Sequence, residues 1–150
     1  MIEKKIIPYK SKIGIIGYGR IGKKIKSILD LIEFPNTVYD PYLPECTSSL
    51  EDVLDCDLIS LHCSYSMNGK YPSHHLLNKS HFNKIEEKKY LINTSRGEVL
   101  SDEYFQTGGD KFIFDVWPKE NDMDFTIIQK PFIATPVSYT HLTLPTNRCV

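Results

Sequence analysis

A strand, a glycine turn, a helix, a second strand and an acid, in that order, leave a chain few folds to choose from. KIGII, Lys12 to Ile16, reads as a short buried strand, and Gly17-Tyr18-Gly19-Arg20-Ile21-Gly22 follows it directly. From Arg20 to about Ile32, the residues Ile21, Ile25, Ile28, Leu29 and Ile32 recur at helical spacing with lysines on the other face, which predicts an amphipathic helix. NTVYD, Asn36 to Asp40, predicts a second strand that ends on a carboxylate. A GxGxxG alone is weak evidence, but in this context each glycine has a physical task. The first permits the tight turn, the second lets backbone approach a pyrophosphate with no Cβ in the way, and the third lets helix pack closely on strand. The helix N-terminus then offers N–H groups and a positive dipole end to phosphate. Asp40 stands at roughly the 20-residue remove at which such an acid takes a ribose 2′-hydroxyl. A carboxylate there repels a 2′-phosphate, so NAD is favoured over NADP.

The rest of the chain continues the alternation. Thr47, Ser48 or Ser49 can cap a short helix carrying Leu50, Val53 and Leu54, with Glu51 in its first turn. DLISL, Asp57 to Leu61, predicts a third strand, and a long polar connection runs from His62 to Ser80. LLNKSHFNKI holds a short helix capped near Asn78, and Tyr90 to Asn93 is a strand. SDEYF opens a short helix capped by Ser101, Phe112 to Val116 is a strand, MDFTIIQ is helical, and PFIAT is the last strand. Mostly uninterrupted apolar strands alternating with helices predict an α/β fold, a Rossmann-type doubly wound parallel sheet, here incomplete.

Composition narrows the functions. A length of 150 residues suits about one domain, and a net charge of -1 argues against a grip on nucleic acid through phosphate neutralisation. Cys46, Cys56, Cys63 and Cys149 form no CxxC pair, so neither a zinc site nor a disulfide framework is expected, and reduced thiols fit a cytoplasmic chain. MIEKKIIPYKSK has no long apolar run and reads as neither signal peptide nor membrane span. His62, His74, His75 and His81 read as structural or exposed residues.

LINTSRGEVL, FIFDVWPKE and FIATP, taken together with GYGRIG, resemble the NAD-binding domain of the D-isomer-specific 2-hydroxyacid dehydrogenases, over about Lys12 to Pro136. The resemblance implies NAD as cofactor, hydride transfer at C2 of a small 2-hydroxy acid, and a homodimer. LHCSYSMNGKYPSHHLLN and DVWPKENDMDFTIIQKPFIATP resemble the branch that acts on a phosphorylated sugar acid in pyridoxal phosphate synthesis, with phosphoglycerate and hydroxypyruvate as neighbouring substrates. By position, Arg96 becomes the substrate-carboxylate clamp, a task that suits a planar guanidinium. Glu120 becomes the acid that orients the catalytic histidine and keeps it protonated. Asp115 and the Thr94-Ser95-Arg96 backbone fall beside the nicotinamide half. Cys63 lines the cofactor pocket through its backbone or small size, not as a nucleophile. Tyr18, Arg20 and Ile21 lend their backbone to the glycine turn. Without the resemblance, Arg96 reads as a solvated loop arginine and Glu120 as an ordinary loop acid. A non-catalytic NAD-binding module would share the glycine turn and Asp40 but leave Arg96 with Glu120 unexplained. A methyltransferase of the same fold leaves NTSRG and DVWPKE unexplained.

The chain also departs from the family pattern. Asn121 follows Glu120 where the family usually has proline, and the stretch between Arg96 and Asp115 leaves room for only about two helical turns. The family's last strand leads into Thr-Pro-His, and that histidine carries the proton. Here the triplet is Thr135-Pro136-Val137, and His141 stands in unrelated surroundings. VSYTHLTLPT, Val137 to Thr146, resembles the translation of a transposase-based sequencing adapter. The reading is therefore residues 1–11 as a leader, 12–136 as the NAD-binding domain and 137–150 as a non-native tail. On this reading the substrate domain is expected to be missing from these 150 residues, and the chain alone is expected to be inactive.

Overall fold

Short apolar runs become strands that are largely buried and pair in parallel. The computed structural model describes residues 11–86, 89–107, 109–119 and 131–135. Its strands are β1 (Ile13–Ile16), β2 (Asn36–Tyr39), β3 (Leu58–Leu61), β4 (Tyr90–Asn93), β5 (Gly109–Phe114) and β6 (Pro131–Ala134). They form one sheet in the order β2-β1-β3-β4-β5-β6, every pair parallel. The helices are α1 (Arg20–Leu31), α2 (Leu50–Leu54), α3 (Lys79–Glu86) and α4 (Glu103–Thr107). The chain runs from β1 out to β2, then crosses back past β1 to β3. That reversal falls between β1 and β3, and sheets of this kind take ligands beyond the carboxyl ends of the strands at such a point.

Local chemistry sets the helix starts. Of the three hydroxyl candidates before α2, Ser49 is the cap: its Oγ accepts Asp52 N–H at 3.2 Å, and its own N–H donates to Asp52 Oδ2 at 2.7 Å. Before α3, Asn78 Oδ1 accepts Ser80 N–H at 3.0 Å. Before α4, Ser101 contributes its carbonyl, which accepts Tyr104 N–H at 3.2 Å. α4 has only 5 residues, as its short connection dictates.

Two differences from the sequence reading have physical causes. β5 begins at Gly109 and ends at Phe114, shifted toward the N-terminus of the expected Phe112–Val116. Asp115 N–H still reaches Asn93 O at 3.0 Å, but the chain then turns inward and buries Val116 and Trp117. The apolar stripe of α1 turns only partly inward. Leu29 is buried against Ile15 and Val38, while Ile21, Ile28 and Ile32 are each 59% exposed and Leu31 is 84% exposed. α1 packs chiefly over β1 and β2, and the exposed isoleucines and Leu31 lie on the part of its apolar face that the sheet leaves uncovered. The larger core lies on the other face, where α2, α3 and α4 pack Val53, Leu54, Phe82, Ile85, Tyr104 and Phe105 against the sheet. The segment MDFTIIQ lies outside the described residues.

Candidate cofactor-binding site

The carboxyl ends of five strands gather the described site residues along one rim of the sheet: Gly17 to Gly22 after β1, Asp40 after β2, Cys63 after β3, Thr94 to Arg96 after β4 and Asp115 after β5. Each glycine of the turn meets different surroundings. Gly17 has φ +98°, and a Cβ on it would lie 2.5 Å from Cys63 N. A Cβ on Gly22 would lie 2.0 Å from Gly17 O, so only glycine lets α1 fold back on the turn. Around Gly19 a Cβ would meet nothing within 4 Å. The middle glycine therefore faces open space, the cradle a pyrophosphate needs. Gly19 is also the N-cap of α1, with no side-chain cap and no acid in the first turn. The contrast with the capping box of α2 is informative: the first-turn N–H groups of α1 are left without side-chain acceptors, as an anion site requires.

Asp40 is pinned beside this cradle. Its Oδ2 accepts Tyr18 N–H at 2.8 Å and its Oδ1 accepts Tyr42 N–H at 3.0 Å. Each carboxylate oxygen has about two lone pairs, so both can still accept from a ribose diol. The acid thus fixes the glycine turn, a role that spacing alone does not reveal. Cys63 is half-buried against Gly17, and burial, opposed by a weaker contact with Ser95, pushes its thiol up to about 11. It stays a neutral thiol, which fits a wall and not a nucleophile.

The turn after β4 is shaped by Asn93, which is fully buried. Asn93 Oδ1 accepts Ser95 N–H at 3.0 Å and Ser95 Oγ–H at 2.8 Å, and its Nδ2 donates to Arg96 O at 3.0 Å. Arg96 is exposed at the rim, and its Nη1 donates to Ser95 O at 2.7 Å. Gly97 then packs directly on the Trp117–Pro118 peptide, 2.1 Å from where a Cβ would sit. Trp117 is buried and its Nε1–H donates to Thr135 O at 3.1 Å, while Thr135 Oγ1 donates to Asp115 Oδ1. These contacts bind the ends of β4, β5 and β6 into one unit. His62 joins it to β3: Nδ1 lies 3.1 Å from Thr94 Oγ1 and Nε2 lies 2.8 Å from Ser60 Oγ. Burial pushes the His62 pKa down, so the neutral ring is favoured.

Sequence reasoning missed Asn93 and Trp117 as organisers, while His62, read as structural or exposed, does serve a structural contact between Ser60 and Thr94. Asn93 had a usable signal, since a polar residue closing the buried run Tyr90 to Asn93 must find partners. Glu120, Pro136, Val137 and His141 lie outside the described residues. Among the described residues no group of His, Cys, Asp and Glu could hold a metal ion. The open cradle, the uncapped helix start and the pinned acid fit a dinucleotide.

The comparisons with known proteins agree. Residues 4–136 match the family "D-isomer specific 2-hydroxyacid dehydrogenase, NAD binding domain", and the chain belongs to it. Among relatives, the chain is 31% identical over 144 residues to an erythronate-4-phosphate dehydrogenase of Legionella pneumophila, covering 90% of this chain and 41% of that one. It is 35% identical over 133 residues to an enzyme of the same name from Hahella chejuensis, covering 83% and 35%. The chain therefore spans about two fifths of the length of these relatives. A D-lactate dehydrogenase of Aquifex aeolicus solved with NAD and lactic acid superposes with a TM-score of 0.68 at 23% identity, over 84% of this chain and 46% of that one. An NAD-dependent formate dehydrogenase of Staphylococcus aureus gives 0.66 at 21% identity, over 88% and 43%. At these identities the two structures establish the shared fold.

Proposed function

We propose that this chain is the cofactor-binding part of an NAD-dependent 2-hydroxyacid dehydrogenase whose substrate is 4-phosphoerythronate. The observation that carries the reading is the convergence of the glycine cradle, Asp40 and the NTSRG turn on one rim of the sheet. The name shared by the relatives of 31% and 35% identity supports the substrate. NAD, when bound, supplies the hydride acceptor. The chain's own residues hold and orient: Gly19 and the first turn of α1 take the pyrophosphate, Asp40 the ribose hydroxyls, and Cys63, Thr94, Ser95 and Asp115 line the nicotinamide half. Arg96, exposed beyond that line, clamps a substrate carboxylate. Glu120 orients a histidine that the full-length enzyme carries at the position of Val137.

Residues 12–136 make up the domain in this reading, and the family match that runs through residue 136 supports that boundary. Residues 137–150 are then foreign to it, and sequencing the genomic locus past the Pro136 codon tests this; a genomic Val-Ser-Tyr-Thr would overturn it. The exposed stripe of α1 supports a homodimer, because a twofold axis can set one such stripe on its copy. We place the protein in the cytoplasm. Free Cys46, Cys56 and Cys63 support this, and among the described residues no helix is long and apolar enough to cross a membrane.

Titration calorimetry on the 150-residue chain tests the assignment. NAD is expected to bind, NADP at least about tenfold more weakly, a difference of ~1.4 kcal/mol. No oxidation of 4-phosphoerythronate is expected from this chain alone. Equal affinity for NADP, or turnover by the isolated chain, would sink the reading.

A further inference from the structure

Two loops on opposite sides of β1 are tied together by one side chain. The Tyr42 hydroxyl donates to Tyr71 O at 3.2 Å and accepts Tyr71 N–H at 3.2 Å. The two rings meet edge to face, with centroids 5.2 Å apart. Tyr42 stands in the loop after β2 and Tyr71 in the loop after β3, and β1 lies between those strands. Neighbouring strands are about 4.8 Å apart, so the tie spans roughly 10 Å across the carboxyl end of β1. That end carries the glycine turn.

Both anchors of the tie are built. On the β2 side, Tyr42 N–H is held by Asp40 Oδ1 at 3.0 Å, so the tie is rooted in the carboxylate placed at the ribose. On the β3 side, the loop closes on itself around the buried Ser73. Ser73 Oγ accepts Ser66 N–H at 2.8 Å and donates to Ser64 O at 2.8 Å. Ser73 N–H and His74 N–H both reach Ser66 O, at 2.9 and 3.0 Å. Gly69, at φ +118°, lies so close to Tyr42 that a Cβ would stand 3.3 Å from the hydroxyl. Tyr39 completes the aromatic setting: burial first, then Tyr71 and Asp40, pushes its hydroxyl pKa up.

We propose that this tie is a clasp over the adenosine end of the cofactor. Tyr42 then acts as a retaining residue, and NAD leaves only when the loop between β3 and α3 lifts. The proposal rests on the NAD-binding reading above. Its chemistry is asymmetric. Tyr42 contributes its hydroxyl, whereas Tyr71 contributes its main-chain N–H and C=O. Tyr42→Phe therefore breaks the clasp and keeps the ring, and Tyr71→Phe leaves the clasp whole.

The test compares the full chain with these two variants by stopped-flow release of NADH, AMP titration, and hydrogen exchange at the Tyr71 amide without ligand. In Tyr42→Phe, release is expected to speed up about thirtyfold, the worth of the two hydrogen bonds that the hydroxyl makes to Tyr71 at about 1 kcal/mol each. AMP affinity is expected to change less than release does, because a tie already formed in the free chain gates entry as well as exit, and the Tyr71 amide is expected to exchange faster. Tyr71→Phe is expected to match the wild type in all three. Unchanged release and exchange in Tyr42→Phe would overturn the clasp while leaving NAD binding intact. So would equal acceleration in Tyr71→Phe. A wild-type chain that binds neither NADH nor AMP would remove the cofactor reading and the clasp with it.

Discussion

Gly19 and Gly22 are three residues apart, yet they do separable work. A Cβ at Gly22 meets the Gly17 carbonyl at 2.0 Å, and backbone cannot give way as a side chain can. Gly22→Ala is expected to destabilise the fold by at least about 3 kcal/mol, the upper range of overpacking, as read by urea unfolding. Gly19 has φ -74° and open space around it. Gly19→Ala is expected to unfold within about 0.5 kcal/mol of the wild type and to lose at least about tenfold in NAD affinity. If both variants lose affinity only through unfolding, the cradle is misassigned. His62 supplies a pH signature at the same scale. Its folded pKa lies below the unfolded value of about 6.5, because burial disfavours the imidazolium. The unfolded chain then binds the proton first as pH falls. The stability tied to the neutral ring is full above about 6.5 and is lost as pH drops from there through the folded pKa. His62→Gln is expected to flatten that part of the stability profile between pH 7 and 5. An unchanged slope would show that other groups set it.

α1 separates what the sequence can reveal about an element from what it cannot. The recurrence of Ile21, Ile25, Ile28, Leu29 and Ile32 specifies a helix with an apolar side, and the helix is found at Arg20–Leu31. Periodicity does not say how much of that side the sheet covers. Leu29 is buried, whereas Ile28, Leu31 and Ile32 are left outside by the narrow β1–β2 edge beneath them. If the outer stripe seats a second copy, Ile28→Glu is expected to give a monomer by sedimentation equilibrium with little change in monomer stability. A wild-type chain that is already monomeric would remove that role from the helix. Strands were legible for a different reason. Buried parallel strands are bare apolar runs, so Tyr90 to Asn93 could be bounded to the residue. β5 was misplaced because Gly109, Asp110 and Lys111, which open the strand, carry no apolar signal. The Tyr42–Tyr71 tie joins residues 29 positions apart, and no local pattern encodes it.

The proposed site belongs to the molecule as a whole because no single element owns it. The glycine turn and Asp40 stand at the β1 and β2 ends, while Thr94 to Arg96 and Asp115 stand at the β4 and β5 ends. His62 and Thr94 join the β3 and β4 ends, and Gly97, Trp117 and Thr135 join β4, β5 and β6. This continuity makes a thermodynamic prediction. A ligand that binds only the folded chain stabilises it by RT ln(1 + [L]/Kd), about 2.7 kcal/mol at one hundred times Kd, however few strands it touches. If the sheet unfolds as one unit, AMP, which the proposed clasp holds at the β1, β2 and β3 ends, protects as much as NAD at equal saturation. Both are expected to raise the melting temperature by about 5–10 °C, scaling from the entropy of unfolding of a chain this size. Hydrogen exchange would locate any failure. Should AMP protect the β1 and β2 amides but leave Ile92 and Ile113 exchanging as in the free chain, the rim contacts beyond β3 do not couple the sheet. The two halves of the cofactor site would then open independently.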